Sequence, residues 1–164
     1  MEIPGREPGR RHLPHLAPLE FPNQPIVQFV TCCVDKRRPL LARQEIVDLL
    51  LDCWHKADRW MLGRWVVMPD HLHLFCAPAV FPPVPLKSWM QFWQNESTRR
   101  WPRATEKPVW QSGFFDRQLR SSESYQQKWQ YLWDNPIKQG LVQNPADWPF
   151  QGELRVLPWH DASP

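Results

Sequence analysis

The sequence predicts an α+β domain, one antiparallel sheet with two helices on one face, followed by a further helix. Three observations carry that reading. Apolar residues switch between a period of two and a period near 3.6, in the order strand, helix, strand, strand, helix, strand, helix. The 164 residues are 42% hydrophobic and 23% charged, which suits a single core. Of the 19 prolines, six fall in residues 1–25 and four in residues 144–164, so regular structure belongs between those ends.

Residues 26–34 (Ile-Val-Gln-Phe-Val-Thr-Cys-Cys-Val) are β-rich and bounded by Pro25 and the charged Asp35-Lys36-Arg37-Arg38, which makes them the first strand. Ile46, Leu49, Leu50, Cys53, Trp54 and Ala57 follow helical spacing and predict an amphipathic helix over about 43–60. Residues 62–68 form a second strand, Pro69-Asp70 a turn, and the alternating residues 71–77 a third strand that pairs with the second as a hairpin. After a loop with Pro78, Pro82, Pro83 and Pro85, the spacing of Leu86, Trp89, Met90 and Trp93 predicts a second helix to about 101. Residues 109–119 read as a fourth strand, and Ser122 opens a third helix to about Asn135, where the following proline disfavours further αR geometry. The order βαββαβ matches the ferredoxin-like split βαβ arrangement, with an extra C-terminal helix. The chain therefore divides into a Pro-rich N-terminal arm (1–25), a central domain (26–143) and an irregular tail (144–164).

Composition excludes several classes. No run approaches the roughly 18 apolar residues of a membrane span, and the first residues lack the apolar stretch of a secretory signal. A cytoplasmic protein with no membrane partner is expected. Cys32, Cys33, Cys53 and Cys76 form no C-x-x-C pair, so they are expected to be reduced, buried and apolar in role. The chain holds 11 tryptophans and only 2 tyrosines. The tryptophans suit packing, and some, such as Trp89, Trp93 and Trp110, also suit stacking on unpaired bases.

In His71-Leu72-His73-Leu74-Phe75 the two histidines project to one face of a strand, and Leu72, Leu74 and Cys76 to the other. Two imidazoles so placed can chelate one metal ion and leave positions open. The same pattern also fits two ordinary surface histidines. Tyr125, Trp129, Leu132 and Trp133 form the apolar stripe of the last helix, which makes Tyr125 a packing residue. Tyr131 lies off that stripe among Gln127, Lys128 and Asn135, a placement for chemistry or for a half-exposed structural tyrosine. Asn135, one turn on, could offer an amide oxygen to a metal, or simply serve the helix end.

These residues converge on a family. Met68-Pro69-Asp70-His71-Leu72-His73-Leu74 resembles the Met-Pro-Asn-His-x-His motif of single-tyrosine transposases in the HUH endonuclease superfamily. The stretch Tyr131-Leu132-Trp133-Asp134-Asn135-Pro136-Ile137-Lys138-Gln139-Gly140-Leu141-Val142 looks like their Tyr-Ile-x-x-Asn-Pro-Val-x-Ala-Gly-Leu-Val helix. Trp110-Gln111-Ser112-Gly113-Phe114-Phe115-Asp116 and Arg120 resemble the strand between them. Arg10-Arg11-His12-Leu13-Pro14-His15, with Phe29-Val30-Thr31, is similar to the start of the REP-associated branch. The resemblance runs from about residue 10 to 150. It departs at Asp70, where Asn is usual, at Arg117, where His is frequent, and at Gln139, where Ala is common.

The resemblance implies a metal-dependent enzyme that nicks and rejoins single-stranded or hairpin DNA, such as REP-like palindromes, through a 5′-phosphotyrosine. It implies Tyr131 as nucleophile, His71, His73 and Asn135 as ligands of Mg²⁺ or Mn²⁺, and no small-molecule cofactor. A monomer associated with the nucleoid is expected. The overall charge is only +3, but residues 87–128 carry eight basic against four acidic side chains. Of these, Arg117, Arg120, Lys128, Arg99 and Arg100 are the expected DNA contacts, since phosphate contacts position a nucleic acid without reading it. Two other readings stay open: a DNA-hairpin-binding protein that no longer cuts, and a metal phosphodiesterase that uses water.

Overall fold

The computed structural model describes His15, Ala17, Pro18 and residues 25–159. The rest of the arm, with Arg10, Arg11 and His12, and the last residues from His160 on lie outside the described residues. Strands β1 (Val27–Cys33), β2 (Trp60–Val67), β3 (His71–Pro78), β4 (Phe115–Leu119) and β5 (Gln151–Glu153) form one sheet in the order β4-β1-β3-β2-β5. Every neighbouring pair is antiparallel. Helices α1 (Gln44–Lys56), α2 (Leu86–Arg99) and α3 (Ser122–Lys138) connect and cover it. The βαββαβ order and the extra helix stand as the periodicity predicts.

α1 and α2 lie on one face. Ile46, Leu50, Cys53 and Trp54 of α1 and Trp89, Met90 and Trp93 of α2 are buried against Val30, Cys32, Leu72, Leu74 and Cys76 of the sheet. Burying each such leucine is worth about 1.5–3 kcal/mol. Trp89 and Trp93 therefore belong to the core, as packing requires, and are closed to base stacking. Trp110 is half-buried against Trp93 and Trp101.

The other face is covered as well. Tyr125 of α3 packs on Phe75 of β3 at 4.7 Å, and Val27, Phe29, Val66, Ala77, Leu119 and Leu132 join them in a second cluster. All eight residues of β3 are consequently buried.

Four boundaries differ from the sequence reading. β4 begins at Phe115 rather than near 109. Trp110 makes an isolated bridge to Val34, and Gly113 then turns the chain at φ +79°, a left-handed backbone that glycine adopts without cost. α1 stops at Lys56, and Ala57 caps it, so β2 starts already at Trp60. α3 runs past Asn135 to Lys138. Pro136 removes one amide donor, but it lies in the last turn, where Gly140 at φ +71° and the bond from Leu141 N–H to Pro136 O close the helix. Lastly, the tail read as irregular supplies β5, which pairs with β2, and buries Trp148 and Leu157.

Candidate active site

Register brings the histidines together with partners on β1. Thr31 lies opposite His73 and Cys33 opposite His71. The two imidazole rings meet edge to face, centroids 4.8 Å apart. They are only 7% and 9% exposed, which removes the reading of ordinary surface histidines. The physical reason is their neighbours: Phe29 lies against His73, and Asp70 and Arg37 stand beside His71.

Each ring has a partner at Nδ1. Asp70 Oδ1 is 2.6 Å from His71 Nδ1, and Thr31 Oγ1 is 2.8 Å from His73 Nδ1. Phe29 stacks on His73 at 5.5 Å. Burial, with the charges of His71, Lys128 and Arg37 adding to it, holds His73 well below the usual histidine range, so it is neutral at pH 7. Partial burial opposes the charge on Asp70, but hydrogen bonds from His71 and Arg37 outweigh it and draw its pKa down to about 2. A neutral ring whose Nδ1–H donates to a neighbour presents the Nε2 lone pair, the arrangement common among metal-binding histidines.

The tyrosines separate as their helical faces suggest. Tyr125 is fully buried, and burial pushes its phenol up to about 12. Tyr131 is 55% exposed. Its ring carries Lys138 Nζ at 4.3 Å and Lys128 Nζ at 6.0 Å. Lys128 also lies 4.8 Å from the Phe29 ring, which is the ring stacked on His73. Tyr131 and Lys128 line a groove of about 330 Å³ with Arg117, Arg120, Ser124 and Gln127. Arg117 pairs across from Phe29 on β1 and so shares its face. Arg117 thus stands on the sheet face that holds the histidine pair, while the phenol and Lys128 reach the groove from α3.

Asn135 is buried at 7% on the sheet-facing side of α3, and Gln139 Nε2 donates to its Oδ1 at 3.5 Å. Among the described residues no group of three or more His, Cys, Asp or Glu side chains could hold a metal. Asn135 carries an amide oxygen, a donor type outside that set. Arg99 and Arg100 stand apart. They belong to the α2 side of the sheet, paired with Glu96 and with Asp52.

Some partners escape sequence reasoning. Thr31 and Phe29 become visible only through the β1–β3 register, and Arg37 reads merely as part of a charged turn. His15, placed in the arm, stacks on Phe114 at 4.0 Å and meets Asp116 at 2.5 Å. Cys33 is half-buried beside Arg37 rather than buried like the other three free cysteines. Among the described residues no helix is long and apolar enough to cross a membrane.

The architecture defines the class first: a ferredoxin-like sheet with α3 added over its second face. A solved structure of a REP-associated tyrosine transposase bound to a REP hairpin shares this fold, with a TM-score of 0.66 and 24% identity, covering 81% of each chain. A REP-associated tyrosine transposase of Escherichia coli (strain K12) is 29% identical over 96 residues, which is 58% of this chain and 56% of that protein. The chain thus matches little more than half the length of that relative. No family profile matches it. The resemblance drawn from the motifs is found again in sequence and in fold.

Proposed function

We propose that the protein is a single-tyrosine transposase that nicks and rejoins single-stranded or hairpin DNA, with REP-like palindromes as its class of target. The observation that carries this reading is a groove lined by Tyr131, Lys128, Arg117 and Arg120, with Lys128 over Phe29, the ring that stacks on His73 beside His71. The likeness to a hairpin-bound transposase supports the choice of DNA.

His71 and His73, through Nε2, and Asn135, through its amide oxygen, would hold Mg²⁺ or Mn²⁺, and two imidazoles favour the softer Mn²⁺. The bound ion would supply charge neutralisation at a phosphate oxygen. Arg117, Arg120 and Lys128 bind and orient the backbone phosphates around the groove. Tyr131 Oη attacks the scissile phosphorus and releases its proton to solvent. The P–O3′ bond breaks, the 3′ oxygen takes a proton, and the 5′ phosphate stays on the tyrosine. The phosphoester energy is retained, so another 3′-hydroxyl can reverse the step and rejoin a strand. Lys138 and Lys128, against the ring, offset the added negative charge.

The test is a labelled hairpin DNA incubated with the protein and Mn²⁺, then separated on a denaturing gel. A covalent adduct is expected with the wild-type chain and none with Tyr131→Phe. Binding without cleavage would leave a hairpin-binding protein, and cleavage that survives Tyr131→Phe would point to attack by water.

A further inference from the structure

Two residues in the turn that leaves β1 carry an unusual backbone. Lys36 has φ 56° and Arg37 φ 54°. That left-handed region is uncommon for side chains other than Gly, Asn and Asp, and strain of this kind persists where the surroundings enforce it. Its result is visible in the Arg37 side chain, which turns back over the end of the sheet. Nε donates to Asp70 Oδ2 at 2.9 Å and Nη1 to Cys33 Sγ at 3.3 Å. The other carboxylate oxygen of Asp70 meets His71 Nδ1 at 2.6 Å. Asp70 is also one of the positions where the chain departs from the motif it resembles.

We propose that Asp70, anchored by Arg37, is the positioning residue of His71, fixing its Nδ1–H tautomer so that the Nε2 lone pair faces the metal. The inference rests on the metal role proposed above. A neutral imidazole has one donor and one acceptor nitrogen, and a carboxylate can only accept. Asp70 therefore selects the tautomer with hydrogen on Nδ1. An asparagine amide can present either its oxygen or its NH₂ and selects less strictly. Arg37 Nη2 favours the opposite tautomer, but it stands 3.5 Å from Nδ1 and is outmatched by the carboxylate. By holding Oδ2, Arg37 leaves Oδ1 aimed at the ring.

Two measurements on the full chain test this. Ring ¹⁵N shifts of the metal-free protein at pH 8 are expected to report the Nδ1–H form for His71. In Asp70→Ala they move toward the Nε2–H form, and in Arg37→Gln they move part of the way, while His73, held by Thr31, stays unchanged. Mn²⁺ titration followed by electron paramagnetic resonance is expected to show binding weakened about 10-fold or more in Asp70→Ala, with Asp70→Asn between it and wild type. Unchanged His71 shifts in Asp70→Ala, or Mn²⁺ affinity within about 2-fold of a wild type that binds, overturns the proposal. A wild-type chain that takes up no Mn²⁺, while its His71 tautomer still follows residue 70, sinks the metal reading and supports the positioning contact.

Discussion

Lys128 joins three parts of the candidate site: it lies over Phe29, near the Tyr131 ring, and on the wall of the groove. If that groove takes a DNA backbone, Lys128→Gln should weaken hairpin binding and reduce the slope of log affinity against log salt by about 1. Filter binding at several salt concentrations measures both. The side chains that matter were unequally legible. Period-two alternation put His71 and His73 on one face, and helical spacing separated Tyr131 from Tyr125. Thr31 was not legible, because its contact with His73 depends on how β1 slides against β3, and neither strand announces that register. Arg37 was hidden for another reason: a left-handed backbone at a lysine and an arginine leaves no mark in composition.

At the scale of elements, local chemistry explains where the boundaries moved. Residues 109–119 read as one strand, yet Ser112-Gly113 is a turn signal, and Gly113 uses it. Pro136 was a fair stop signal for α3, but a proline in a final turn costs only one hydrogen bond. The 3-10 turn Ala104–Glu106 shows how a short element can tie two longer ones. Glu106 accepts two bonds from Arg43, at the start of α1, and one from Trp101 Nε1. The Arg43 bonds, against a small burial cost and with help from Trp101, lower the Glu106 carboxyl to about 2. A carboxyl held below its ordinary value of 4.5 contributes stability above that pH and loses it as the pH falls toward 2. Glu106→Gln should therefore destabilise the protein at pH 7 and flatten the fall in melting temperature between pH 4.5 and about 2, as seen by circular dichroism.

For the whole molecule, the order of elements was legible because each core strand and helix has its own period. The coverage of the second sheet face is only half legible: helical spacing predicts α3 but not its seat against Phe75. The tail was opaque, since β5 is three residues long and contains Gly152, too short for any alternation to register. Yet Trp148 is 8% exposed, and its Nε1 donates to Val67 O at 3.0 Å. Trp148→Ala should cost about 3 kcal/mol or more of unfolding free energy by urea titration, where a dispensable tail would cost almost nothing. The two strands that flank the sheet have a bearing on solubility. Unpaired backbone along a sheet border is a template on which another molecule can grow. Here one border is the three-residue β5 and the other is β4, interrupted by Asp116 and Arg117, with His15 laid against Asp116. Neither offers the long, flat, apolar margin that seeds fibrils, so the sheet guards itself against assembling with copies of its own kind.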